Sequence, residues 1–173
     1  MKKFIVAGFL ATGIAAFNSS SAQEVNNASA ASTDYKTAVG IRLSPNAPVI
    51  SNAITVKHFI KPSTAVEGYI SFNNPLFGIG AMLEFYKPLS TPGLQWYYGA
   101  GAYLGFGKTY DEIKARDVNT NYFGAQGVLG LDYKFASVPI NLSVDWKPEL
   151  NLVSDINFEP AGVGISVRYT FAK

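Results

Sequence analysis

From Tyr35 onward, apolar and polar residues alternate with period two, and no stretch carries the 3.6-residue stripe of an amphipathic helix. Eight such segments cover residues 35–43, 52–60, 64–72, 76–87, 94–106, 121–135, 139–152 and 160–172. In the seventh, Ile140, Leu142, Val144, Trp146, Leu150 and Leu152 share one face, and Asn141, Ser143, Asp145, Lys147, Glu149 and Asn151 share the other. In the last, Val163, Ile165, Val167, Tyr169 and Phe171 alternate with Gly162, Gly164, Ser166, Arg168 and Thr170. Such alternation predicts strands with two unlike faces. Connections 44–51, 73–75, 108–120 and 153–159 follow the odd segments, and 61–63, 88–93 and 136–138 follow the even ones. Apart from 73–75 the odd set is the longer. This is the arrangement of an up-and-down meander with loops at one end, short turns at the other, and both termini on the short-turn, periplasmic side.

An all-β, eight-stranded antiparallel up-and-down barrel satisfies this pattern in two ways, with the apolar face inside as in a soluble barrel, or outside against lipid. Three features select the second. No Asp, Glu, Lys or Arg falls on the apolar face of any segment, where lipid would penalise it by about 2–4 kcal/mol at midplane. The aromatic residues of that face collect at segment ends. Phe85, Trp96, Tyr98, Tyr133, Phe135, Tyr169 and Phe171 lie toward the short turns, and Phe72, Phe77, Phe106, Phe123 and Trp146 toward the long loops. Two aromatic girdles around an aliphatic band suit a barrel anchored at two interfaces. The polar face is rich in glycine, at positions 40, 78, 80, 99, 101, 105, 124, 130, 162 and 164. Inside a narrow barrel these leave room for Tyr69, Tyr86, Tyr97, Tyr103 and Tyr122. A transmembrane β-barrel is therefore expected over residues 35–173.

Upstream, Lys2 and Lys3 precede the mostly apolar stretch 4–17, and Ser20-Ser21-Ala22 forms a small-residue cleavage site. Residues 1–22 read as a cleaved secretory signal peptide and 23–34 as a flexible lead-in. Loss of the two lysines takes the formal charge from +2 to zero, so no basic footprint remains for nucleic acid. The absence of cysteine excludes disulfides, thiolate metal sites, a Cys nucleophile and a lipidated N-terminal cysteine.

Three stretches carry a family resemblance: Trp96-Tyr-Tyr-Gly-Ala-Gly-Ala-Tyr-Leu-Gly-Phe106, Ile140-Asn-Leu-Ser-Val-Asp-Trp-Lys-Pro-Glu-Leu150, and Val163-Gly-Ile-Ser-Val-Arg-Tyr-Thr-Phe171. They resemble the small OmpA-like outer-membrane β-barrel proteins of Gram-negative bacteria, particularly those of Bacteroidetes type. The resemblance spans about residues 35–171 and implies insertion in the cell outer membrane by its assembly machinery. In one departure, Ala172 and Lys173 follow the terminal aromatic Phe171.

Candidate chemistry is confined to the inward face, where Arg42, Lys57, Lys134, Lys147 and Arg168 meet Glu67, Glu84, Asp132, Asp145 and Glu149, five of each sign. A neutral sum predicts a paired network, because unpaired charge in a poorly hydrated interior is costly. Hairpin geometry places Lys57 opposite Glu67 and Asp145 within one register step of Arg168, so both pairs are expected to make salt bridges or one-water contacts. The single histidine, His58, lies on the apolar face near the short turns and reads as an interfacial anchor. In connection 108–120, Lys108, Lys114 and Arg116 alternate with Asp111, Glu112 and Asp117, a solvated surface rather than a catalytic or Ca²⁺ site. Gly99-Ala-Gly-Ala-Tyr-Leu-Gly105 has the wrong spacing for a dinucleotide loop and sits within a strand. No catalytic residue, metal site or cofactor is expected. The function expected is a structural or surface-interaction barrel with a plugged, charge-paired lumen, monomeric, with membrane lipid and the assembly machinery as partners. The alternative is a narrow gated channel for ions or small solutes.

Overall fold

The computed structural model describes residues 35–47, 49–73, 76–111, 116–153 and 156–172. The predicted signal peptide and lead-in lie outside the described residues. Ten strands run in order: β1 Tyr35–Leu43, β2 Ala53–Lys61, β3 Thr64–Asn73, β4 Leu76–Pro88, β5 Leu94–Asp111, β6 Arg116–Lys134, β7 Ile140–Trp146, β8 Glu149–Asn151, β9 Asn157–Glu159 and β10 Val163–Ala172. Each of β1 to β6 pairs antiparallel with its successor, β6 pairs with β7, β7 with β10, and β10 returns to β1. The sheet thus closes on itself as an eight-stranded barrel, which removes every edge from its closed girth.

Ten strands make eight staves because the last two are interrupted. The seventh stave is β7 continued by β8, broken at Lys147-Pro148, where proline cannot donate to the ladder. The eighth is β9 continued by β10. Trp146 faces Val163 while Glu149 faces Glu159, so the eighth stave carries one extra residue between these pairs, a bulge over residues 160–162. Lys147 N–H donates to the Gly162 carbonyl across this joint at 2.9 Å.

Pairing of β3 with β4 is uninterrupted from Thr64 opposite Phe85 to Asn73 opposite Leu76. At the turn from β4 to β5, Gly93 adopts φ 81°, the left-handed backbone that glycine enters without a steric penalty. The hairpin of β5 and β6 is taller than its neighbours. Pairing of β4 with β5 stops at Leu76 opposite Gly107, yet β5 and β6 remain paired up to Asp111 opposite Arg116. The expected loop 108–120 is therefore largely a two-stranded ribbon, rising about 13 Å past the wall at about 3.3 Å per residue. Glu112 and Lys114 lie outside the described residues, and Lys108 is exposed.

The apolar face points outward. Ile41, Ile54, Ile70, Val144 and Ile165 are each 43–55% exposed on the outer wall, and aromatics of both girdles are exposed there too, among them Phe72, Phe77, Phe106, Phe123 and Trp146 at one end. Phe85, Tyr98 and Tyr169 are exposed at the other end, with Trp96, Tyr133 and Phe135 half-buried by ring contacts and Phe171 beside Tyr169. One expectation needs correction. Lys87 does lie on the outward face, at the short-turn end opposite Trp96, with its Nζ 5.4 Å from the indole centroid. An edge position lets the lysine lay its stem along the wall while the ammonium reaches polar surroundings.

Inside, glycines seat tyrosines across adjacent strands. Tyr69 faces Gly80, Tyr97 faces Gly130 and Tyr103 faces Gly124. A Cβ built on Gly130 or Gly124 would lie 2.8 Å or 2.6 Å from the facing ring, and one on Gly80 would also strike Tyr69. The same substitution should have opposite signs at two other glycines. A Cβ on inward Gly101 strikes the Ala81 carbonyl and comes 2.7 Å from Met82 Cα, backbone that cannot yield as a side chain can. Outward Gly68 has nothing within 4 Å of its Cβ. Gly101→Ala is expected to destabilise by about 1–3 kcal/mol and Gly68→Ala to stabilise by about 0.4–1 kcal/mol. Urea unfolding of the lipid-reconstituted protein measures both.

Candidate functional site

The enclosed interior is built from inward positions of all eight staves. It has an aromatic floor at the short-turn end, a charged middle and a mixed roof at the long-loop end. The floor is Tyr35, Phe59, Tyr86 and Tyr97, all buried. Tyr86 and Tyr97 stack at 4.9 Å with an 11° interplanar angle, and Phe59 packs against Tyr86 at 4.9 Å and edge-on to Tyr35 at 5.4 Å. The Lys57 ammonium lies 4.9 Å from the centroid of each stacked ring, where the ring faces attract a cation.

Charged side chains of the middle bridge from wall to wall. Lys57 Nζ donates to Asp132 Oδ1 at 3.0 Å and lies 3.7 Å from Glu84 Oε2. Asp132 also accepts from Asn141 Nδ2 at 2.5 Å, and Glu84 from the Tyr86 hydroxyl at 2.6 Å. Glu67 binds two cations: Lys147 Nζ at 2.6 Å on Oε2, and Arg168 Nη2 on Oε1. Arg168 spends its remaining donors on Thr55 Oγ1 at 2.9 Å and Ser143 Oγ at 2.7 Å. Asp145 accepts from Arg42 Nη2 at 2.7 Å and Nε at 3.0 Å on one oxygen, and from the Tyr97 hydroxyl at 3.0 Å on the other.

Neither expected pair makes a direct ion pair among the described residues. Lys57 does lie opposite Glu67 in register, as expected, but its ion pairs are with Asp132 and Glu84. Asp145 faces Gly164 and Arg168 faces Asn141, so the expected register was off by three residues. The physical reason is the narrowness of an eight-stranded interior. A long side chain reaches the opposite wall as easily as the adjacent strand. Lys57 on the second stave meets Asp132 on the sixth, and Lys147 on the seventh meets Glu67 on the third, each four staves away. Lys134 is also displaced from its expected place. It is half-buried and donates to the carbonyls of Phe135 and Val138, the latter at 2.9 Å, in the short turn. The buried charged set among the described residues is therefore Arg42, Lys57, Lys147 and Arg168 against Glu67, Glu84, Asp132, Asp145 and Glu149.

Toward the long loops the interior becomes mixed. Tyr69 donates its hydroxyl to Gln126 Oε1 at 2.6 Å, and Gln126 Nε2 donates to Glu149 Oε1 at 3.3 Å. Here lies the feature that the alternation missed. The connection from β1 to β2 does not stand out as a loop, and Ala47, Val49 and Ile50 are buried. The signal was present in the apolar pair Val49-Ile50, where a solvated loop has no use for one. His58 lies on the outer wall, its Nδ1 2.9 Å from Thr37 Oγ1, away from this interior. Among the described residues no three His, Cys, Asp or Glu side chains gather as metal ligands.

An apolar outer wall around a polar, ion-bridged interior places the chain in the class of transmembrane-type β-barrels. Solved structures share the fold. The N-terminal β-barrel domain of Pseudomonas aeruginosa OprF matches over 79% of this chain and 96% of that one, at 11% identity and a TM-score of 0.57. Neisserial surface protein A (NspA) matches over 79% and 94%, at 15% identity and a TM-score of 0.50. No protein-family model and no curated protein matches the sequence. At these identities the likeness establishes a closed eight-stranded antiparallel barrel and nothing about activity.

Proposed function

We propose that this protein is a monomeric outer-membrane barrel, exported by its N-terminal signal peptide, whose lumen is plugged and whose role is structural or surface-interacting rather than enzymatic. The observation that carries the reading is the mutual engagement of the interior charges. Glu67 holds Lys147 and Arg168, Asp145 holds Arg42, and Asp132 holds Lys57, with the cross-links spanning the interior and the Tyr35, Phe59, Tyr86 and Tyr97 floor beneath them. Side chains that brace opposite walls occupy the path a solute would take. The outer wall meets lipid, with aromatic rings at headgroup depth, and the tall β5–β6 ribbon presents the surface for contacts outside the membrane.

Single-channel recording in a planar bilayer tests this. The unmodified protein is expected to give rare openings or none. Stable large openings would favour the competing reading, a narrow gated channel, and in that case Asp145→Ala or Arg168→Ala would raise the conductance further. Shortening the ribbon is expected to leave the electrical record unchanged while abolishing any surface contact it makes.

A further inference from the structure

We propose that the segment joining β1 to β2 is a displaceable plug in the long-loop mouth of the barrel, latched by Glu149. The inference rests on the closed-lumen reading and adds the part that moves. Ala47, Val49 and Ile50 are 4%, 5% and 1% exposed, so this connection turns its apolar side chains into the barrel instead of toward water. Two inward glycines make the seats. A Cβ on Gly78 of β4 would come 2.5 Å from Ile50 Cδ1, and a Cβ on Gly105 of β5 would come 2.6 Å from Val49 Cγ1. Any larger residue at either position would occupy the space the plug fills.

The way the plug is held differs from the way the wall is held. Its own turn is local, with Ala47 N–H donating to the Ser44 carbonyl at 3.2 Å and Ser44 N–H to Asn52 Oδ1 at 3.3 Å. At its root, Ser44 Oγ donates to the Val163 carbonyl at 2.7 Å. Its tip is tied to the wall by a side chain, the Ile50 N–H donating to Glu149 Oε1 at 3.1 Å. A segment seated by apolar contacts and one carboxylate, without a ladder of backbone bonds, opens as a unit at lower free energy than the sheet around it.

Glu149 is suited to act as a latch because its charge is not committed elsewhere. The other four buried carboxylates each have a Lys or Arg nitrogen within 4 Å, whereas Glu149 forms no such pair among the described residues. Its second oxygen, Oε2, is buried without a hydrogen-bond partner. Arg42, Glu159, Tyr103 and Tyr69 are charged and titratable groups whose fields couple to this carboxylate from β1, β9, β5 and β3. Releasing the plug therefore breaks no ion pair and uncovers the Glu149 carboxylate.

The chain has no cysteine, so introduced thiols report without background. Ser71, fully buried on β3, has its Cβ 3.6 Å from a Cβ built on Gly78 and so lies beside the Ile50 seat. Ser71→Cys in vesicle-reconstituted protein is treated with a membrane-impermeant maleimide, with folding checked by heat-modifiable gel mobility. Slow labelling is expected, accelerated about 10-fold by Glu149→Ala, the factor that loss of one hydrogen bond of ordinary strength produces. Glu149→Gln, which keeps an acceptor for the Ile50 N–H, should remain slow. Ile50→Asp should match Glu149→Ala and serves in its place if the latter does not fold. Separately, Val49→Cys with Gly105→Cys should cross-link under mild oxidation, because a Cβ at Gly105 would lie 2.6 Å from the Val49 side chain, and a covalent bond between the two removes the steric conflict that any other larger residue at Gly105 would create. Efficient cross-linking with labelling that neither Glu149→Ala nor Ile50→Asp accelerates would overturn the displaceable plug and leave the closed lumen standing. Fast labelling of Ser71→Cys alone, with no cross-link in the paired variant, would overturn the closed-lumen reading itself.

Discussion

Replacing Glu67 by alanine is expected to cost the barrel about 3–5 kcal/mol, among the largest effects available to one side chain. Among the described residues Glu67 is the one carboxylate that two buried cations share, Lys147 on Oε2 and Arg168 on Oε1, and all three groups are essentially without solvent exposure. Its removal leaves two positive charges in a space that water reaches poorly. The attraction lost is only part of the cost, and the larger part is the desolvation no longer offset. Converting all three positions together to apolar residues, Glu67→Leu with Lys147→Met and Arg168→Met, should recover most of the loss, because no charge is then stranded. Equilibrium urea unfolding in lipid vesicles measures both variants. A single-variant loss below about 1 kcal/mol would mean that water hydrates the interior well enough to replace a carboxylate.

Val144→Arg is expected to destabilise the bilayer-inserted protein by about 2–4 kcal/mol. Val144 lies on the outer wall between Leu131 of β6 and Ile165 of β10 and is 52% exposed. On a wall bathed in water such a substitution would stay within about 0.5 kcal/mol. Lys87→Ala supplies the contrast. Lys87 sits beside Trp96 at the short-turn rim, where the cost of charge falls to about 0–1 kcal/mol, so its removal should be nearly neutral. A small cost for Val144→Arg would remove the membrane from the account of this fold.

The wall was legible in the sequence because each strand separates two unlike media, and period-two alternation records that separation. The segments expected at 35–43, 64–72 and 160–172 correspond closely to β1, β3 and β10. Where the media cease to differ the signal vanishes. Above Phe106 and Asn121 the β5–β6 ribbon outruns its neighbouring strands, with Lys108 and Asn119 exposed, and Lys108-Thr-Tyr-Asp111 and Arg116-Asp-Val-Asn-Thr120 carry no stripe and looked like a loop. Pairing partners within the interior were illegible for another reason. Register fixes which residues sit side by side, but Lys57 passes over its neighbour Glu67 to reach Asp132 across the diameter. The inward-turned Val49 and Ile50 left a trace in composition that alternation is not built to detect.

The wall-to-wall bridges also constrain how the barrel assembles. Arg42 and Asp145 are 103 residues apart, Arg168 and Glu67 101, Lys147 and Glu67 80, and Lys57 and Asp132 75. No hairpin formed alone contains one of these pairs. Until β1 meets β10, each partly built sheet carries charges whose partners are still on distant strands, and those charges hold water against it. Dehydration of the interior is thus deferred to the closing of the seam, when distant carboxylates and cations meet together. Such a chain has steep cooperativity and a slow, non-local last step.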